Sequence, residues 1–409
     1  MDIKPIFSTL QRHKFTACLL IMEIALTCAI VCNAIFLIGQ RLQLMQTPTG
    51  IAEHELVYVQ MADISDRPDV MARTEADLAA LRQVPGAKSV MLINQLPFGG
   101  SSSNMDIKLS PEQTKTTISV AQYMGENMLS TLGVHLVAGR DFRPDEFVDI
   151  DKVYAALRAG DLTAIPKPVL ITQAMAERLW PGQNPLGKQL YVAQGIPLTV
   201  IGVMKELVRP NQRNNGLHYS LFNPVRMPMS SGTYYVLRCA SQDREQVLRS
   251  AVVKLRKLDP NRIVLDKGTW DEMRRDYFRD DRAMAGILVS VCLALLIVTA
   301  LGIVGLASFW VAQRNRSIGV RRALGATRGN ILHYFQTENF LLTTMGIGLG
   351  MVLAYGINLF LIVHYEVPRL PLMYFPIGAL LLWMIGQAAV LGPALRAAGV
   401  PPVVATRSV

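Results

Sequence analysis

The stretch AMAGILVSVCLALLIVTALGIVGLASFWVA, residues 283–312, runs 30 positions without a charged side chain. It is followed at once by QRNRSIGVRRALGATRG, residues 313–329, which holds five arginines and no acidic residue. A helix of that apolar length rises about 45 Å, more than the roughly 30 Å of a bilayer's hydrocarbon core. An apolar run that stops abruptly at clustered arginines reads as a membrane span whose basic end is cytoplasmic.

Working outward from this pair, residues 339–363 and 372–395 also lack any charge, and residues 17–38 carry only Glu23. Each is long enough to span. With 313–338 inside, the N-terminal 1–16 and the C-terminal 396–409 are also inside, and 39–282 and the short turn holding Glu366 and Arg369 are outside. Lys4, Arg12 and Lys14 before the first span resemble the start of a signal peptide. The apolar run is too long for one and no A-x-A site closes it, so an uncleaved anchor is expected. The fold expected is a membrane α-helical protein of four transmembrane helices, with a large mixed α/β extracytoplasmic domain between the first and second.

Composition agrees. Hydrophobic residues make up 51% of the 409 and charged residues only 18%, too apolar for an ordinary soluble chain. The net charge of +10 could suggest nucleic acid, but its distribution does not. Residues 39–282 hold 30 basic and 27 acidic side chains, whereas the other 165 residues hold 11 and 4, so +7 of the +10 flanks the apolar runs. Basic residues beside spans set topology; a nucleic-acid surface would place them on the soluble domain. Nucleic acid is excluded, and the bilayer is the expected environment. Cys18, Cys28, Cys32 and Cys292 lie within spans and Cys239 alone outside, which is no disulfide framework.

Within the excursion, Leu56–Met61, Pro168–Ile171, Leu198–Val203 and Tyr234–Leu237 read as strands. Thr74–Arg82, Thr172–Trp180 and Arg244–Leu258 have helical spacing with charged outer faces. Breaks at 97–103 and 209–216 separate these groups. Residues 270–282, WDEMRRDYFRDDR, lack Gly and Pro and run into the second span. They are expected to form a helix, either a solvated face or a stiff stalk linking membrane and outer domain.

Enzymatic patterns fail. The six histidines form no H-E-x-x-H, and His54-Glu55 lacks its second His. No G-x-S-x-G elbow occurs. Gly182-Gln-Asn-Pro-Leu-Gly187-Lys188 fits a phosphate loop only superficially: Gln189 replaces Ser/Thr, Pro185 removes an N–H, and a helix-like run precedes it. A turn between helix and strand is expected. No catalytic residue, cofactor site or metal site is assigned.

The basic segment carries more than topology requires. It reads as a short helix between spans, closed by Gly325, with Thr327 capping the next helix. Ile318 and Leu324 beside the arginines would give a peripheral protein both apolar and charged contacts. Within the membrane, Glu23 is the one charged residue of any span, a functional candidate that either snorkels toward the cytoplasm or pairs between helices. Gly346, Gly348, Gly350 and Gly356 would let another helix approach closely, within the chain or across a dimer seam.

R-x-R-S-I-G-V-R-R-A-L-G-A-T is similar to the coupling motif of FtsX-like permease domains, found in MacB, lipoprotein-releasing permeases and FtsX. Arg314, Arg316, Ile318, Gly319, Arg321, Arg322, Ala323, Gly325 and Ala326 match by position, and Ser317 stands where the family usually has Glu. The closing P-A-L-R-A-A-G-V-P-P, residues 393–402, resembles the family's last motif without its acidic residue. Leu132-Gly133, Ala138–Phe142 and Asn184–Lys188 resemble the MacB periplasmic domain. The resemblance implies that the 313–338 loop contacts a nucleotide-binding subunit, and that two permease subunits, alike or different, sit over two ATPases. MacB carries a fused ATPase ahead of its first span. Here the engine, with its ATP and Mg²⁺, is expected on a separate subunit. A periplasmic adaptor and an outer-membrane channel are further partners of such systems. The expected function is that of an export permease in the bacterial inner membrane, transmitting ATP-driven motion to the periplasm. The alternative is an FtsX-like signalling scaffold that activates a cell-wall hydrolase.

Overall fold

The computed structural model describes residues 14–64, 69–100, 102–192, 195–211, 216–365 and 369–399. The N-terminal Lys4 and Arg12, the outer-turn Glu366, and Pro401, Pro402 and Arg407 lie outside the described residues. Two compact units emerge, Met1–Met45 with Asp280–Val409, and Gln46–Arg279.

Helix α1 (Lys14–Met45) is followed by β1 (Leu56–Asp63), α2 (Val70–Arg82), β2 (Ser89–Ile93), β3 (Asn104–Ile107) and β4 (Ile118–Met124). Next come α3 (Met128–Leu132), β5 (Leu136–Gly139), β6 (Val148–Asp149), α4 (Ile150–Ala159), β7 (Pro168–Thr172) and α5 (Gln173–Leu179). Strands β8 (Gln189–Val192), β9 (Ile196–Met204), β10 (Ser220–Asn223), β11 (Val225–Arg226) and β12 (Tyr234–Arg238) precede α6 (Arg244–Leu258), β13 (Arg262–Thr269) and α7 (Trp270–Tyr277). The chain continues as α8 (Arg279–Ala323), α9 (Arg328–Tyr365) and α10 (Tyr374–Ala398).

The middle unit is built on two main sheets. One is antiparallel, in the order β13-β1-β12-β2. Val57, Val59 and Met61 alternate along β1 as its pleat requires. They share a core with Val247, Ala251 and Leu255, spaced four apart on α6 as one helix face requires. The other sheet is mixed, in the order β3-β4-β10-β7-β9-β5 with β8 on β9. Val169, Ile171, Leu198, Val200 and Leu221 form its core with Met175 and Leu179 of α5.

All four strands read from the sequence lie within observed strands, but the charged outer face expected of Thr74–Arg82 is only partly so. Asp77 turns inward and is buried. It accepts a hydrogen bond from the Tyr235 hydroxyl at 2.6 Å and pairs with the guanidinium of Arg262. Burial pushes the Asp77 carboxyl above its ordinary range even with these partners pulling it down. The pair ties α2 to the sheet.

Helices α1, α8, α9 and α10 are each long and apolar enough to cross a membrane. Two expectations about the segments flanking the second span need correction. The stretch 270–282 is not one stalk: α7 ends at Tyr277 and α8 begins at Arg279. Trp270, Met273 and Phe278 are buried, and aromatic packing around Phe98 holds the segment onto the middle unit. Nor is the basic segment a separate short helix. Residues 313–323 are the last three turns of α8, which runs 45 residues without interruption, and Arg328 and Gly329 already belong to α9.

Candidate functional site

Helix α8 ends in a tight corner. The Ala326 N–H donates to the Arg321 carbonyl at 3.0 Å and the Gly325 N–H to that of Arg322 at 3.1 Å, the two bonds of a Schellman cap. Gly325 has φ +97°, a left-handed conformation that a side chain would strain. Two residues later the Thr327 hydroxyl accepts from the Asn330 N–H at 3.2 Å and opens α9. A C-cap set beside an N-cap leaves only residues 324–327 between α8 and α9.

The matched residues divide between two faces of this corner. Ile318 and Gly319 are buried, Ile318 in a core with Ile331, Phe335, Ala394 and Ala397. Arg314 is also turned inward: its Nη1 donates to Glu338 Oε2 at 3.0 Å and Oε1 at 3.2 Å, and its guanidinium lies 5.5 Å from the Trp310 ring centroid. Ile318 and Arg314 tie α8 to its neighbouring helices, and of the three only Arg314 keeps a small part of its side chain exposed. Arg316, Arg321, Ala323 and Gly325 are exposed, with Arg322 and Ala326 half-buried among them. Arg321 lies over the Tyr334 ring at 5.2 Å, which fixes its direction. At the tip Leu324 is 83% exposed, a large apolar side chain close in sequence to Arg321, Arg322 and Arg328. Arg321 and Arg322 also suit the negative end of the α8 dipole, but that accounts for neither Arg316 nor Leu324. Glu338 was visible only as the first acidic residue after the arginines; its burial opposite Arg314 was not.

The other candidates fall into place within the bundle. A Cβ at Gly302 of α8 would come within 2.6 and 2.8 Å of the Glu23 carboxylate oxygens. Glu23 therefore sits against α8 at Gly302, where any side chain would push its carboxylate aside. One turn on, the Thr27 and Thr299 hydroxyls bond at 2.8 Å. The glycine series splits. Gly346 and Gly350 meet Ile24, Ala25 and Cys28 of α1, close intramolecular packing of the kind small residues permit. Gly348 and Gly356 have nothing within 4 Å.

The phosphate-loop lookalike is a turn between α5 and β8. Gly182 and Gly187 have φ +68° and +77°. The Gly187 N–H donates to the Val200 carbonyl at 2.8 Å and the Leu186 N–H to Asn184 Oδ1 at 3.1 Å. Lys188 lies 5.4 Å from the Trp180 ring centroid. Backbone donors that would have to cradle phosphate are thus engaged in holding the turn.

Residues 24–259 match the MacB-like periplasmic core domain and residues 289–402 match the FtsX-like permease C-terminal region. The chain is 24% identical over 367 residues to an uncharacterized ABC transporter permease of Bacillus subtilis, YknZ, covering 87% of this chain and 85% of that one. It is 28% identical over 253 residues to the macrolide export ATP-binding/permease protein MacB of Neisseria meningitidis, covering 58% of this chain and 35% of that longer one. Among solved structures, the periplasmic region of MacB from Actinobacillus actinomycetemcomitans aligns with 57% of this chain and 97% of its own, at 15% identity and a TM-score of 0.34.

Proposed function

The chain belongs to the ABC transporter permeases of the MacB/FtsX type, and from that premise we propose that it converts ATP-driven motion of a separate ATPase into rearrangement outside the membrane. The observation that carries this reading is the unbroken α8. Its 45 residues rise about 68 Å, a rod longer than the hydrocarbon core is thick. The inner end of that rod is the capped corner where Arg316, Arg321, Arg322 and Leu324 form the ATPase-facing surface. ATP and Mg²⁺ act on the partner, whose two states favour two positions of the corner. Residues 313–338 and both termini are cytoplasmic in this scheme, and 39–282 lies in the periplasm, handling an exported molecule there. A second permease subunit completes the transporter, with an adaptor and outer-membrane channel as further partners. The MacB-like core over residues 24–259 supports export over the activation of a cell-wall hydrolase.

Reversing Arg321 and Arg322 to Glu together tests the reading. Loss of the Arg321–Tyr334 contact costs about 0.5–1 kcal/mol, so the chain should stay folded and inserted, held by Arg314, Arg316 and Arg328. Opposed charges at the interface should cut ATPase co-purification by about tenfold or more and abolish transport-dependent growth. A stable, inserted double variant with normal ATPase capture and normal growth refutes the coupling role.

A further inference from the structure

Beside the Arg314–Glu338 pair, about three helical turns from the corner, the bundle encloses a small cavity. It lies among Leu20 of α1, Ile303 and Trp310 of α8, Glu338 and Asn339 of α9, and Val390 of α10. The centre of a water-sized sphere can occupy about 10 Å³ of it, space on the scale of one water molecule. Most of the wall is aliphatic, but Trp310, Glu338 and Asn339 bring polar groups to it. These three are only 4%, 1% and 5% exposed.

Two of the three are donors with nothing to donate to. Trp310 Nε1 and Asn339 Nδ2 are buried and have no hydrogen-bond partner among the described residues. The face of the Trp310 ring is engaged by the Arg314 guanidinium at 5.5 Å, so the N–H on its edge is the group left to satisfy. The Asn339 amide is turned toward α10 where that helix is thinnest. A Cβ at Gly386 would lie 3.3 Å from Asn339 Nδ2 and 3.1 Å from Thr343 Oγ1. Thr343, one turn along α9, is 1% exposed, and its hydroxyl is also unpartnered. Lipid offers such groups no hydrogen bond, so leaving several of them unmet in one corner of a bundle weighs heavily against the fold.

The chemistry of the set selects the occupant. Two N–H donors disfavour a cation, a carboxylate on the same wall disfavours an anion, and the space is too small for an organic group. Water meets both requirements, accepting two hydrogen bonds and donating two. Glu338 accepts two bonds from Arg314 Nη1, at 3.0 and 3.2 Å, and a carboxylate has about four acceptor sites. We propose that one internal water molecule binds here, accepting from the Trp310 and Asn339 N–H groups and donating to Glu338. Trp310 belongs to α8 and Asn339 to α9, so the water is a second bond between these helices beside the Arg314–Glu338 pair.

The test uses the full chain, ¹⁵N-labelled at tryptophan, in lipid nanodiscs. The Trp310 indole signal is assigned by its disappearance in Trp310→Phe. Cross-peaks to water are read in the rotating frame, where cross-relaxation and chemical exchange differ in sign. The Trp310 N–H, shielded from bulk solvent, should show a cross-relaxation peak to water. Asn339→Leu, which withdraws one partner and fills the space, should abolish it. Thr343→Val keeps the side-chain shape and should retain the peak, which shows that the signal is not relayed through the threonine hydroxyl. The parent spectrum decides even where a variant fails to fold: no cross-relaxation peak from Trp310 to water overturns the proposal. So does a peak that survives unchanged in a folded Asn339→Leu chain, or one that Thr343→Val removes.

Discussion

Removing Glu338 should cost far more than its position beside a solvent-facing loop suggests. Its side chain is 2% exposed and that of Arg314 17%, so the pair is shielded from water that would otherwise screen it. Breaking a buried pair by deleting one partner costs about 3–5 kcal/mol, because the remaining charge stays buried without compensation. In Glu338→Leu the Arg314 guanidinium keeps its contact with the Trp310 ring, worth about 0.5–1 kcal/mol. The expected loss is therefore at the lower end, about 3 kcal/mol, or more than a hundredfold in the folded-to-unfolded ratio. Arg314→Met, which removes this cation from the more deeply buried carboxylate, should lose about 4 kcal/mol by the same reasoning. The double variant Arg314→Met/Glu338→Leu fills the same space with apolar atoms and should return to within about 1 kcal/mol of the parent. Unfolding of the four proteins in one detergent closes the cycle and should give a coupling of about 6 kcal/mol. Single variants as stable as the parent, or a double variant no better than the worse single, would refute the assignment of this pair as an internal clamp. The stable double variant should also still capture the ATPase, since Arg314 faces inward; loss of capture there would return Arg314 to the interface.

Reporter fusions at Gly100 and Gly216 should score as extracytoplasmic and those at Gly329 and Val409 as cytoplasmic; an inside signal at Gly216 overturns the orientation of all four spans together. Gly350→Ala would place a Cβ 2.5 Å from Cys28 Cβ and 2.7 Å from the Ala25 carbonyl, so thermal unfolding should show a loss of about 1–3 kcal/mol. Gly348→Val and Gly356→Val enter open space and should leave monomer stability within about 0.5 kcal/mol; weakened permease–permease crosslinking in either would mark the dimer seam. Lys188→Ala should leave ATP turnover of the assembled complex unchanged, and an isolated chain that hydrolyses ATP only with Lys188 present would contradict the turn assigned to Gly182–Lys188.

Much of the fold was legible because two strong periodic signals carry it. Charge-free runs longer than a bilayer is thick leave few alternatives to a spanning helix, and the strands read in advance are those with dense Val, Ile, Leu and Tyr. What escaped were elements whose residues serve two purposes. Strand β13, RIVLDKGT, carries the exposed Asp266 and Lys267 because it is the edge of its sheet, paired to β1 alone. Asp77 sits among the charged residues of α2 with nothing local to mark it as buried; its partners Tyr235 and Arg262 are 158 and 185 positions away. The stalk misled for a related reason. Residues 270–282 have helical composition throughout, and only the packing of Trp270 and Phe278 against Phe98 ends α7 before α8 begins.

At the corner between α8 and α9 the motif could not say which of its residues turn inward and which are exposed. A basic residue in a loop between spans reads as exposed, yet Arg314 is drawn inward by a carboxylate 24 positions later on the next helix. Ile318 looked like an apolar contact for a peripheral protein, whereas it fills the core among α8, α9 and α10. The spacing explains the division. Arg314 and Ile318, four residues apart, follow the face of α8 that meets α9, and Arg316 lies about 200° from Arg314 around the helix; Arg321 returns to the α9 side only at the helix end, where it lies exposed over the Tyr334 ring. Leu324 falls beyond the last helical residue, where the Schellman cap turns the chain and exposes its side chain to a degree no helical position here requires. An interior clamp and an exterior tip on one continuous helix are what a lever needs. In the coupling we propose, the clamp holds α8 to α9, and Arg316, Arg321, Arg322 and Leu324 are the residues left to meet the ATPase.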